Sequence, residues 1–246
     1  GQTEVELVLL STTDLHGYVF PINYFNGNNL RGTLYRVATL IEEQRQNHEN
    51  VMLFDVGDAI QGSQLVYYWG VVNPSHSRNL EHVIGKDSLL SFVKDAKFPV
   101  LSANTVFTGT DNLVFEPYAL IEKELSNGDK INVGVIGLTT PRWVQWYGGM
   151  VGYEFDSTGM YEAAEKFVPE MKEKGADIIV VLIHSGLNEE ETKEVTAGED
   201  LLPEHDVLRI AQQIPGIDVI FYGHTHKVNT QKVTNEISGE EVLLVQ

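Results

Sequence analysis

Residues 177–183, Asp-Ile-Ile-Val-Val-Leu-Ile, constrain the fold more than any other stretch of the chain. Side chains on a strand alternate between its two faces, so six successive apolar residues leave neither face for water. Such a strand belongs inside a sheet covered on both sides, as in layered α/β proteins. Val5–Ser11, Val51–Phe54, Ile131–Leu138 and Ile217–Tyr222 have the same character. Helical periodicity lies between them. Gly32–Asn47 places Leu34, Val37, Leu40 and Ile41 on one face, and Met160–Lys174 does so with Ala163, Ala164, Phe167 and Met171. Gly175 suits the end of the second helix, and Pro169 is expected to weaken its middle. Asp87–Ala96 and Asp206–Gln213 read as shorter helices. Phe98–Ser102 reads as a strand, Val114–Leu125 as a strand edge and a short connection, and Asn127-Gly128 as a turn. Val228–Val245 reads as a hairpin about Ser238-Gly239. Alternation of strand and helix predicts an α/β layered domain.

What these strands deliver is as informative as the strands themselves. Ile217–Tyr222 runs into Gly223-His224-Thr225-His226. If the backbone stays extended, the two imidazoles share a side. Val5–Ser11 delivers Asp14 and His16 at the same spacing, Val51–Phe54 delivers Asp55, Gly57 and Asp58, and residues 177–183 deliver His184. Each has an ordinary alternative: a capping aspartate in a turn, or a histidine satisfied in the core. Four strand ends of one chemical kind point together to a shared metal site, since layered sheets build their sites where strand ends converge. Thr139–Phe155 is aromatic and Gly-rich, with Trp143, Trp146, Tyr147 and Tyr153, and reads more readily as a packed surface loop than as a cleft wall.

Composition removes several classes of function. A net charge of −18 disfavours polyanionic partners such as nucleic-acid polymers or anionic membranes. It does not disfavour a small phosphate ester held by local cations. There is no cysteine, so thiolate metal sites, disulfides and thiol catalysis are ruled out. No apolar run approaches the ~20 residues that span a bilayer. The chain opens abruptly at Gly1-Gln2-Thr3, so a missing leader is uninformative.

The ordered set Asp14-Leu-His-Gly17, Gly57-Asp-Ala-Ile-Gln-Gly62, His184-Ser-Gly186 and Gly223-His-Thr-His226 resembles the calcineurin-like metallophosphoesterases. Within them it is similar to the catalytic domain of the 5′-nucleotidase and 2′,3′-cyclic-nucleotide 2′-phosphodiesterase group. Phe98–Asn104, Val133–Thr140 and Gly175–Ile183 carry the likeness across nearly the whole chain. The resemblance implies a four-layer α/β/β/α sandwich with mixed sheets, and two divalent ions such as manganese, iron or zinc. It implies that Asp14, His16 and His226 hold one ion, that His184 and His224 hold the other, and that Asp58 bridges them, with Asp55 structural. It further implies hydrolysis of a 5′-, 3′- or cyclic 2′,3′-nucleotide phosphate by metal-generated hydroxide, and an extracytoplasmic location, secreted, periplasmic or at the cell wall. Tyr18–Asn29 and Thr139–Trp143 lean towards the cyclic phosphodiesterase branch.

The pattern is broken at one point. The family turn Gly-Asn-His-Glu, whose Asn binds the second ion and whose His acts on the leaving group, is missing. Arg78-Asn79-Leu80-Glu81 is the nearest match, which makes Asn79 the ligand and puts Leu80 where the catalytic His would stand. Asn104 is a fallback ligand, and His76 or His82 a substitute. The segment from Gly62 to Arg78 is also shorter than the family's. The alternative function is therefore a metal-binding but catalytically impaired fragment or pseudoenzyme. Residues 1–246 are expected to form the metal-binding domain alone, without the C-terminal domain that holds the nucleoside base in relatives.

Overall fold

The structure, a computed structural model, describes residues 4–23, 26–59, 86–188 and 202–246. Asn79, Leu80, His76 and His82 lie outside the described residues. The helices are α1 (Leu34–Asn47), α2 (Lys86–Asp95), α3 (Trp143–Tyr147), α4 (Met160–Glu173) and α5 (Val207–Gln213), with a 3₁₀ turn at Gly148–Val151. The strands are β1 (Val8–Thr12), β2 (Val51–Asp55), β3 (Thr105–Phe107), β4 (Tyr118–Glu124), β5 (Lys130–Thr139), β6 (Phe155–Ser157), β7 (Ile178–His184), β8 (Val219–Tyr222), β9 (Thr230–Thr234) and β10 (Glu241–Val245).

Six strands form one sheet in the order β4-β5-β7-β8-β10-β9. Its centre, β5-β7-β8-β10, is parallel, and the antiparallel hairpin partners β4 and β9 close its edges. The sequence explains the order. The central strands are apolar on both faces, while β9 (Thr-Gln-Lys-Val-Thr) alternates and suits an edge. On one face Ile136, Leu138, Ile179, Val181, Ile183, Ile220 and Tyr222 pack against Phe167, Val168 and Met171 of α4 and Ile210 of α5. On the other, Val133, Val135, Val180 and Phe221 meet Phe54, Val56, Leu9 and Met52, because β1 and β2 form a parallel pair stacked on this sheet. Val37, Leu40 and Ile41 of α1 share a cleft with Leu10 and Thr12 of β1, which gives the outermost layer. The layer order is α/β/β/α; the six-stranded sheet is mixed and the β1–β2 pair is parallel.

Two local expectations are corrected. Phe98–Ser102 is not a strand: it makes a single bridge, Leu101 to Glu116, and the strand here is β3. The Leu101 carbonyl lies directly over Gly137 of β5, where any side chain would collide with it. The segment is thus held by close backbone approach rather than by a ladder. Pro169 does not interrupt α4. Burial of Met160, Ala163, Ala164, Phe167, Val168 and Met171 against the sheet outweighs the one backbone hydrogen bond that proline removes.

Candidate metal centre

β1, β2, β7 and β8 all end at one edge of the sandwich, and the loops beyond them are stitched together. The Asp14 N–H donates to the Gly57 carbonyl at 3.0 Å, the His16 N–H to Asp58 at 2.8 Å, and the Val56 N–H to Thr12 at 2.9 Å. These bonds continue the β1–β2 pairing past the strands. Asp55 closes the same corner, accepting from the Thr12 hydroxyl at 2.6 Å and the Gly57 N–H at 3.1 Å, which is the structural role expected of it.

Beyond the strands the backbone is not extended. Asp14, His16, Asp58, His224 and His226 all have positive φ, between 50° and 75°. A shared side for His224 and His226 therefore comes from left-handed turns and not from strand alternation. Non-glycine residues adopt this conformation at a cost of order 1–3 kcal/mol each, and clusters of them mark functional sites. Gly223 is required for another reason. A Cβ there would overlap the Thr13 hydroxyl and come within 2.7 Å of Asp14 Oδ2, so only glycine lets the β1 and β8 loops touch.

That contact fixes Asp14. Its Oδ2 accepts from the Thr13 hydroxyl at 2.7 Å and from the His224 N–H at 3.0 Å. Its Oδ1 is buried without a hydrogen-bond partner. Around Oδ1 stand three imidazole nitrogens: His226 Nε2 at 3.4 Å, His16 Nε2 at 3.8 Å and His184 Nε2 at 3.9 Å. His16 and His226 bring their Nε2 atoms to 2.9 Å of each other. His184 Nε2 lies 3.1 Å from Asp58 Oδ2 without the angles of a hydrogen bond. Asp14, His16 and His226 form one group of donors within 4.8 Å, and Asp58, His184 and His224 form another. Asp14 Oδ1 and both His184 nitrogens are buried without a partner among these donors, an arrangement a cation would satisfy, so the residues present fit a divalent metal pair in hard-oxygen and imidazole chemistry.

In the protein without cations, the two groups offset each other. Burial alone disfavours both ionised forms. It would raise the Asp58 carboxyl, yet the adjacent His184 imidazole and the charges of His184, His16 and His224 hold it below its ordinary 3.8. Burial would lower the His184 imidazole, yet Asp58 and then Asp14 raise it above its ordinary 6.5.

Several features carried little or no signal in the sequence. Asn104 is fully buried, and its amide is consumed by the Thr139 and Thr158 carbonyls, so it ties β5 to the connection between β6 and α4 and does not serve the centre. Trp146 is not merely part of a packed loop. It is 46% exposed and stacks on His224, with ring centroids 5.5 Å apart and planes 25° apart, while Trp143 turns into the core. Glu204 and His205 are buried beside His224, with Glu204 Oε1 at 3.0 Å from His224 Nε2. The run Pro203-Glu-His-Asp206 ahead of α5 was the available sign, an acid and an imidazole at the start of a helix.

Comparison with known proteins places this geometry. The family model for calcineurin-like phosphoesterases matches residues 7–228. A 2′,3′-cyclic-nucleotide 2′-phosphodiesterase/3′-nucleotidase of Salmonella typhimurium is 31% identical over 97% of the chain, and a snake venom 5′-nucleotidase of Naja atra is 31% identical over 96%. The chain spans 39% and 44% of those proteins' lengths. Among solved structures, the calcineurin-like phosphoesterase YfkN of Bacillus subtilis superposes with a TM-score of 0.79 at 26% identity, covering 98% of this chain and 81% of that one.

Proposed function

The chain belongs to the calcineurin-like phosphoesterase family, and on that premise we propose that residues 1–246 form the metal-binding catalytic domain of a nucleotide phosphoesterase. The substrate class is a nucleotide phosphate ester, cyclic 2′,3′-phosphates foremost and 5′-nucleotides next. The observation that carries the proposal is the convergence of Asp14, His16, Asp58, His184, His224 and His226, from four strand ends, around the unpartnered Asp14 Oδ1 and His184 imidazole.

Two divalent cations would be held there, by Asp14, His16 and His226 on one side and by Asp58, His184 and His224 on the other. When bound, such ions neutralise phosphoryl oxygens and lower the pKa of water from 15.7 towards about 7. The rest of the work belongs to the chain. With both ions bound, Asp14 and Asp58 would set two negative charges against four, so the pocket would be locally positive inside an acidic protein and would attract an anionic ester. Thr13 and the His224 N–H hold Asp14 in one orientation, so its free oxygen needs no rearrangement when substrate arrives. The exposed face of Trp146 beside His224 offers a flat apolar wall for a leaving group. By the resemblance of Arg78-Asn79-Leu80-Glu81 to the family turn, Leu80 takes the sequence position of the leaving-group histidine, a proton donor that would be worth ~10²–10⁴-fold. The enzyme is therefore expected to favour substrates with good leaving groups. An extracytoplasmic location and a further nucleoside-binding domain in the same protein complete the proposal. They are supported by relatives named as a venom 5′-nucleotidase and a 5′-nucleotidase precursor, and by the greater length of those relatives.

The test is hydrolysis of bis-p-nitrophenyl phosphate and of 2′,3′-cyclic AMP by the purified protein with added manganese. Turnover of both that disappears on chelation is the expected result. Metal uptake with no turnover of either would instead mark a metal-binding protein without catalysis, and no metal uptake would end the proposal.

A further inference from the structure

We infer that Glu204 is a positioning residue: it fixes the tautomer and the plane of the His224 ring so that Nδ1 is the atom presented to the metal centre. The inference rests on the metal-centre reading above.

Glu204 is 7% exposed, and a carboxylate so placed demands a partner. Arg209, on the next helix, is committed to Asp206 at 2.6 and 2.8 Å. What faces Glu204 Oε1 is imidazole: His224 Nε2 at 3.0 Å and His205 Nε2 at 3.6 Å. An ionised carboxylate only accepts hydrogen bonds, so His224 must carry its proton on Nε2 to satisfy it. That leaves the Nδ1 lone pair for the group it forms with Asp58 and His184.

The neighbours make this assignment rigid. The Gly186 N–H donates to His205 Nδ1 at 2.9 Å, so neutral His205 also bears its proton on Nε2, towards the same carboxylate oxygen. The Ser185 hydroxyl donates to the Glu204 carbonyl at 2.8 Å, which ties the acid to the loop that follows His184. Trp146 lies flat on one side of the His224 ring. An outer carboxylate of this kind orients a ligating histidine and raises its basicity, and losing it typically weakens metal affinity by ~10–100-fold. A carboxylate that merely satisfied its own burial would affect stability and leave metal affinity unchanged.

The experiment compares the wild type with Glu204→Ala and the isosteric Glu204→Gln, after thermal melts confirm folding. In the metal-free protein, long-range ¹H–¹⁵N spectra of the histidine rings should report His224 as the Nε2–H tautomer. That preference should be lost in Glu204→Ala and kept in Glu204→Gln, whose amide oxygen still accepts. Manganese titration should give unchanged stoichiometry in both variants, with affinity for the weaker-held ion reduced ~10–100-fold in Glu204→Ala and within several-fold of wild type in Glu204→Gln. An Nδ1–H tautomer in the wild type, or equal affinity in all three proteins, overturns the inference while leaving the metal centre intact. Loss of one bound equivalent in Glu204→Gln overturns it by making Glu204 a ligand. A wild type that takes up no manganese removes the centre itself, and with it any service Glu204 could perform.

Discussion

Asp14 shows how one residue is divided between structure and chemistry. One carboxylate oxygen is spent on Thr13 and the His224 N–H, and the other is left bare among imidazoles. Asp14→Asn should therefore be well tolerated by the fold but remove bound metal. Manganese content by elemental analysis should drop by at least one equivalent, with hydrolysis falling by more than about 10²-fold, the scale expected when one preorganised charge-stabilising group is lost. Gly223→Ala works through the same residue. Its methyl would push Thr13 and Asp14 aside, at about 1–3 kcal/mol for overpacking, and a lowered melting temperature together with weaker manganese binding checks it. His184 and Asp58 give a pH dependence. The raised His184 value means its charged form contributes stability that is full below the ordinary 6.5 and is lost as pH climbs through the raised value. The lowered Asp58 value means its contribution is present above the ordinary 3.8 and is lost as pH falls through the depressed value. The metal-free protein should thus gain most from this pair in mildly acidic solution. Cations need His184 neutral, so the rise in melting temperature on adding manganese should be larger at pH 8 than at pH 6.

At the scale of elements, the centre is a property of loops that rigid strands bring together. β1 and β2 carry their pairing beyond their ends into the Asp14–His16 and Gly57–Asp58 turns, and β7 and β8 stop where their apolar runs stop. The aromatic stretch around α3 adds a wall whose position depends on Trp143 anchoring in the core. Trp146→Ala leaves that anchor untouched. It should raise KM for nucleotide and aryl esters about 5–150-fold while kcat changes little, because stacking on an exposed ring is worth ~1–3 kcal/mol of binding and takes no part in the reaction. Equal KM values in steady-state assays of the two proteins would remove Trp146 from the substrate wall.

At the scale of the whole molecule, metal and fold are linked. Six ligand-type side chains drawn from strand ends far apart in the chain converge only in the folded state, and ions that bind only that state stabilise it by mass action. Saturation at 100 times Kd is worth ~2.7 kcal/mol, so chelation should lower the melting temperature by roughly 5–10 °C for a chain of this size. Differential scanning calorimetry with and without EDTA measures it. The amino-acid sequence by itself determined the layered fold and the identity of the strand ends, because burial on both faces writes a central strand as an unbroken apolar run, as in residues 177–183, and places chemistry where the run stops. It could not determine what approaches sideways. Glu204 beside His224, Trp146 on the ring, the Leu101 carbonyl against Gly137 and the left-handed turns at Asp14, Asp58 and His224 are contacts between distant segments. No local period encodes such contacts. Only the packing of the two sheets, which fixes how far each loop reaches, decided them.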